Sequence, residues 1–165
     1  MPLPTRFDQN EIFLLIIAAL LMLVTYIIPK RFPYSISCLI VLFNISIGIA
    51  MDHLLAGPPM DFYDVLDTKK FELFDLFLYV FVYGPSTYIF VYVYDLWFFH
   101  RPYRVKVIYL ILLALINVVL EYVSGLLHVF TYKGWEIYYS FIVYILMYTS
   151  NFMLLSKLKK DYKIS

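Results

Sequence analysis

Five apolar runs separated by short polar connections decide what this chain can fold into. They cover residues 11–28, 34–56, 71–99, 105–130 and 135–157. A helix rises about 1.5 Å per residue and a hydrocarbon core is about 30 Å thick, so a run of about 17 residues is long enough to cross it. Each of the five meets that length. A lone segment in lipid closes its backbone hydrogen bonds only as a helix, and a barrel needs many segments of about ten alternating residues. No such alternation is present. The aromatic and β-branched residues of the third run would suit a strand in water, but lipid overrides that preference. The expected fold is all-α, an integral membrane bundle of five transmembrane helices forming a single transmembrane domain over residues 1–165.

Composition points the same way. The chain is 63% hydrophobic and 15% charged, with a mean hydropathy of +0.80, against roughly 45–50% and about 25% for soluble domains. A net charge of +1 without a basic stripe excludes nucleic acid as a partner. The expected surroundings are the lipid bilayer, with a membrane-protein partner or a homo-oligomer as the protein contact. The lone cysteine, Cys38, lies in an apolar run and reads as a small buried hydrophobe. The first run ends at Pro29-Lys30-Arg31 with no small-residue cleavage site, which reads as a retained span and not a cleaved signal.

Charges in the connections set an orientation. Arg6, Lys69, Lys70 and Lys133 fall on one side, four in all. Nine fall on the other: Lys30, Arg31, Arg101, Arg104, Lys106, Lys157, Lys159, Lys160 and Lys163. The positive-inside rule places the N-terminus outside and the C-terminus in the cytoplasm of a multi-pass cell-membrane protein.

Helical periodicity then sorts the polar residues. At about 100° per residue, Asn117, Glu121, Ser124 and His128 form one stripe on the fourth run. Glu72, Asp75, Tyr79, Tyr83 and Ser86 share a face of the third. Ser140, Tyr144, Tyr148 and Asn151 share one on the fifth. Ser37, Asn44, Gly48 and Asp52 occupy a broader arc of the second, with His53 turned about 100° further. Polar stripes on membrane helices face other helices or a wet cavity.

Depth makes the stripes more specific. Measured from their outer helix ends, Asp52 and Asp75 lie about 6 Å in, His128 about 3 Å and Glu121 about 13 Å. The alternating topology therefore collects Asp52, His53, Glu72, Asp75 and His128 in the outer half of the bundle, above Glu121 and Asn117. This is the expected ligand, proton or cation site. Hydration at headgroup level is the favoured account of the five shallow residues taken by themselves. It does not account for Glu121, because a charge near mid-bilayer costs about 2.5–3.5 kcal/mol and calls for a partner, a proton or water. Which metal or cofactor, if any, the site takes is not encoded in a recognisable motif.

The remaining features are local. In "GPPMDFYDVLDTKK", residues 57–70, Asp61, Asp64 and Asp67 recur every third residue. The spacing predicts a solvated acidic face on a short helix or bend, and it lacks the closer ligand spacing, central glycine and terminal glutamate of a calcium loop. Asp95 is expected to pair with Arg101 and Arg104 in the turn around His100. Gly84-Pro85 is expected to kink the third helix. Spacings typical of zinc proteases, serine hydrolases and dithiol redox sites are absent. The expected function is that of a non-enzymatic subunit, sensor or binding module. The alternative is a proton- or cation-coupled carrier or channel component using the outer carboxylate and histidine cluster.

Over residues 80–150 the chain also resembles a family of small, uncharacterised multi-span membrane proteins of endospore-forming Firmicutes. The resemblance rests on Tyr83-Gly84-Pro85, on "LEYVSGLLHVF" and on "YKGWEIYYSF", with Glu121, His128, Trp135 and Tyr138 as matching positions. It implies a bacterial cytoplasmic membrane and no particular chemistry.

Overall fold

The computed structural model describes residues 7–67 and 71–163, so Arg6, Lys69 and Lys70 of the loop-charge count lie outside the described residues. Five helices, all long and apolar enough to cross a membrane, run α1 Gln9–Ile27, α2 Tyr34–Leu55, α3 Leu73–Phe98, α4 Tyr103–Leu126 and α5 Ile137–Tyr162. Two short strands, β1 Tyr63–Val65 and β2 Phe130–Tyr132, lie between α2 and α3 and between α4 and α5.

Each helix boundary has a local cause. α1 opens on a capping box, in which the Asp8 carboxylate accepts from the Asn10 amide and Glu11 Oε2 accepts from the Asp8 amide at 2.9 Å. α2 and α4 follow Pro33 and Pro102, which preset the backbone at a helix start. α3 begins where the Asp75 carboxylate accepts from the Glu72 amide at 2.6 Å. α5 ends at Lys163, in a left-handed conformation, with Lys159 and Lys160 in its last turn complementing the carbonyl end of the helix dipole.

The kink expected at Gly84-Pro85 takes the form of a π-helical turn, Leu78–Tyr83, directly before it. Proline donates no hydrogen bond and its ring crowds the carbonyl four residues back, so the turn widens and the Gly84 amide reaches the Tyr79 carbonyl instead. Gly84 also permits close packing on α2, since a Cβ there would stand 3.0 Å from Val41 Cγ1. A second π turn, Tyr94–Phe98, closes α3.

Four expectations are corrected, the last of them at the end away from the sheet. The 57–70 connection is not a short helix or bend with a free acidic face. Its centre is β1, antiparallel to β2 with Tyr63 opposite Tyr132, Asp64 opposite Thr131 and Val65 opposite Phe130. Lys133 Nζ bonds Asp61 at 2.8 Å and Asp64 at 2.7 Å, while Asp67 accepts from Asn10 at 2.9 Å. The Phe62 carbonyl receives the amides of Lys133, Gly134 and Trp135, which fastens the two connections together. The fourth run is helical only to Leu126; a turn carrying His128 at φ 59° follows, and residues 130–132 leave the helix to pair with β1. Cys38 is exposed on the outward face of α2, because Ile36 and Ile40 turn inward in its place.

Side chains pack around two centres. Near the sheet, Leu14, Tyr63, Val65, Leu66, Leu78 and Val129 cluster. Toward the opposite end, Ile40, Val91, Tyr94, Leu113, Tyr148 and Leu155 form a larger core, and the Tyr94 ring stacks on Phe152 at 3.7 Å between centroids. Outside these centres the helices present apolar side chains outward, among them Ile16 and Leu20 on α1, Ile108, Leu112 and Val119 on α4 and Leu146 on α5.

At the end away from the sheet, Asp95 is fully buried and bonded to Arg31 Nε and to Lys159 Nζ, the latter at 2.7 Å. The expected pairing with Arg101 and Arg104 does not form. The π turn carries Asp95 inward, toward the α1–α2 connection and the last turns of α5.

Candidate functional site

A cavity of about 130 Å³ lies between the two packing centres, with Tyr63 in its wall on the sheet side and Tyr148 on the other. Asp52 of α2 and Glu121 of α4 both line it. Among the described residues its lining contains no lysine, arginine or histidine.

Glu121 is held by three hydroxyls. Tyr132 of β2 donates to Oε1 at 2.8 Å, Ser140 of α5 donates to the same oxygen at 2.6 Å, and Tyr144 donates to Oε2 at 2.7 Å. Ser140 and Tyr144 stand four residues apart and thus share a face of α5. The Trp135 indole N–H donates to Ser140 Oγ at 2.8 Å, which directs the serine proton to Glu121. Glu121 is therefore also a bracket joining α4, α5 and β2.

Asp52 is held in the same manner by two tyrosines. Tyr63 of β1 donates to Oδ1 at 2.6 Å and Tyr79 of α3 donates to Oδ2 at 2.8 Å. Tyr83 follows Tyr79 one turn later, and its ring passes Gly48 so closely that a Cβ there would meet Tyr83 Cδ2 at 3.0 Å. Gly48 is what admits that ring beside α2. Among the groups in the connections, burial first, then the Asp52 charge, raises the Tyr63 hydroxyl well above its ordinary pKa. Burial and then the Glu121 charge do the same to Tyr132. Both hydroxyls thus stay protonated donors.

A second recess, of about 340 Å³, opens at the sheet end and is lined by Asp52, His53, Asp64, Asp75, Tyr63 and Tyr79. Asp52 and Tyr63 line both spaces, so their hydrogen bond stands between the outer recess and the inner cavity. Asp75 is 4% exposed, and its Oδ1 is buried without a hydrogen-bond donor.

The residues singled out by sequence divide accordingly. Asp52, Asn117 and Glu121 line the inner cavity. Asp52, His53 and Asp75 line the outer recess, with His53 exposed. Glu72 is buried at the start of α3, where its amide meets Asp75. His128 is exposed in the turn after α4 and lines neither space, because the end of the helix at Leu126 takes it off the Glu121 stripe. Sequence reasoning marked Trp135 only through the resemblance and missed Tyr63 and Tyr132. They sit in connections, where helical periodicity says nothing about direction.

Two further polar arrangements flank the site. Asn44 and Asn151 exchange side-chain hydrogen bonds between α2 and α5, and each also bonds the carbonyl four residues earlier, Ile40 and Met147. Asp8, Glu11 and Asp67 offer carboxylate oxygens within 4.8 Å of one another, the one such group of metal-ligand type among the described residues. It lines neither cavity, and two of its three members are exposed.

Compared with protein-family models, with curated proteins and with solved structures, the chain matches none.

Proposed function

We propose that this protein is a membrane-embedded binding module for a small cation, with the sheet end facing outward and the C-terminus in the cytoplasm. The observation that carries the reading is the inner cavity, whose walls, among the described residues, hold two carboxylates and no basic side chain. Two carboxylates on one space of low polarity concentrate acidic groups there, and a bound cation balances their charge. The apolar helix exteriors support membrane residence, since so large an exposed apolar surface has no stable place in water. The loop charges and the resemblance to spore-former membrane proteins support a bacterial cytoplasmic membrane.

Sensing or binding is favoured over carriage by the contrast between the two ends. A recess leads from the sheet end to the Asp52–Tyr63 hydrogen bond, while the opposite end is closed by aromatic packing and by Asp95 with Arg31 and Lys159. Carriage through the bundle would have to open that second barrier.

The test is the melting temperature of the detergent-solubilised full-length protein against a panel of inorganic and organic cations at constant ionic strength. A ligand that binds only the folded state raises it with concentration. At least one cation is expected to do so in wild type and to lose the effect in Asp52→Asn and Glu121→Gln. Melting temperatures that do not respond to any cation would contradict the reading.

A further inference from the structure

Resting on the reading of the inner cavity as a cation site, we infer that its ligand is a small organic ammonium rather than a metal ion. The donor chemistry argues first. Asp52 Oδ1 and Oδ2 each accept a tyrosine, Glu121 Oε1 accepts Tyr132 and Ser140, and Glu121 Oε2 accepts Tyr144. A calcium ion needs roughly six to eight oxygens at about 2.3–2.6 Å. Here every carboxylate oxygen already carries a hydroxyl, and Asp52 and Glu121 belong to no three-ligand group of metal-binding size among the described residues. What the carboxylates still offer is charge, to a cation too bulky to strip them of their tyrosines.

The walls argue second. Rings of Tyr83, Tyr144, Tyr148 and Trp135 surround the space, and aromatic faces attract a cation whose charge is spread over alkyl groups. Met51 and Val143 supply apolar surface that a hydrated metal would leave unused. A volume of about 130 Å³ is several times what one ordered water needs and suits an ammonium with a few carbons.

The approach argues third. Asp75, almost fully buried with one oxygen lacking a donor, faces the outer recess beside Asp52. With Asp52 it places two carboxylates along the outer recess, and their charge draws a cation toward the inner cavity. The ammonium can arrive free in solution or as the headgroup of an aminolipid. Among the described residues the cavity lining offers no basic side chain to a phosphate, which favours the free amine.

Trp135 lines the cavity and Trp97 is 62% exposed, so emission from a Trp97→Phe background reports on the cavity alone. Full-length protein in maltoside micelles is titrated with ethylammonium, tetramethylammonium, sodium and calcium at constant ionic strength. A parallel series adds phosphatidylethanolamine, with phosphatidylglycerol as control. A saturable change with an ammonium, weakened at least tenfold by Glu121→Gln, supports the inference; a change with phosphatidylethanolamine alone also supports it and identifies the lipid as source. Val143→Phe fills the space and leaves both carboxylates, so it must weaken the response as well, even if Glu121→Gln fails to fold. Saturation by sodium or calcium without ammonium would overturn the organic ligand and leave the cation site standing. No response to any cation would overturn both.

Discussion

Tyr63 and Tyr132 are directly opposed across the β1–β2 pair, and each places its hydroxyl on a different carboxylate, Tyr63 on Asp52 and Tyr132 on Glu121. Opposed residues in a sheet point to the same face. A sheet of three residues per strand therefore reaches down onto α2 and α4 at once. It sets the spacing of the two acids that line the cavity.

This arrangement predicts unequal costs for removing the two hydroxyls. Tyr63→Phe leaves Asp52 with Tyr79 alone, whereas Tyr132→Phe leaves Glu121 with Ser140 and Tyr144. A hydrogen bond to a charged group contributes about 1.5–3 kcal/mol. Tyr63→Phe should sit near the upper part of that range and Tyr132→Phe near the lower part. Equilibrium unfolding of the two variants in mixed micelles measures both, and equal losses would count against the sheet as a shared lid.

Alkaline titration gives a second check on the same pair. Both hydroxyls have pKa values raised in the fold above the ordinary 10.0, so the unfolded chain releases their protons first. Their stabilisation is then complete below about pH 10 and lost as pH rises toward the folded values. The double variant Tyr63→Phe/Tyr132→Phe should lose stability less steeply above pH 10 than wild type, read from melting temperature against pH. An identical slope would show that neither proton is held as described.

At the opposite end, Lys159 is buried against Asp95. Removing one member of a buried pair leaves an uncompensated charge and costs about 3–5 kcal/mol, while replacing the pair by apolar residues is often neutral. Asp95→Leu should therefore be strongly destabilising, and Asp95→Leu/Lys159→Met should recover most of the loss, because Arg31 at 29% side-chain exposure can turn to water. A double variant no more stable than the single one, in thermal unfolding, would contradict this account.

Between the ends, the Asn44–Asn151 exchange should behave alike on a smaller scale. Interhelical hydrogen bonds of this kind contribute about 0.6 kcal/mol on average and up to about 1.7 kcal/mol. Either single change to leucine leaves the other asparagine's Oδ1 buried without its donor, so the two singles should each lose more than the double. A thermodynamic cycle over the four proteins reads the coupling, and additive losses would exclude it.

Much of this was legible from residue order. The five helices follow from run length against membrane thickness, and their boundaries depart by a few residues wherever a cap or a strand intervenes. The Glu121, Ser140 and Tyr144 partnership was half visible, since periodicity put each on a polar stripe but did not say which stripes meet. The sheet was not visible. β1 and β2 are three residues each and lie in connections separated by two helices, so neither carries a pattern by itself. Asp95 was assigned to nearby arginines because sequence proximity is the only cue available, yet its partners, Arg31 and Lys159, are each 64 residues away. His128 was grouped with Glu121 by a helical repeat that ends two residues too soon.

The central claim is that Asp52 and Glu121 act together on one bound cation. An infrared difference spectrum, cation-loaded minus cation-free, reads the two carboxylates directly in the intact protein. The account predicts two carboxylate stretching shifts, one removed by Asp52→Asn and the other by Glu121→Gln. A spectrum without carboxylate shifts, or one unchanged by both substitutions, would contradict it.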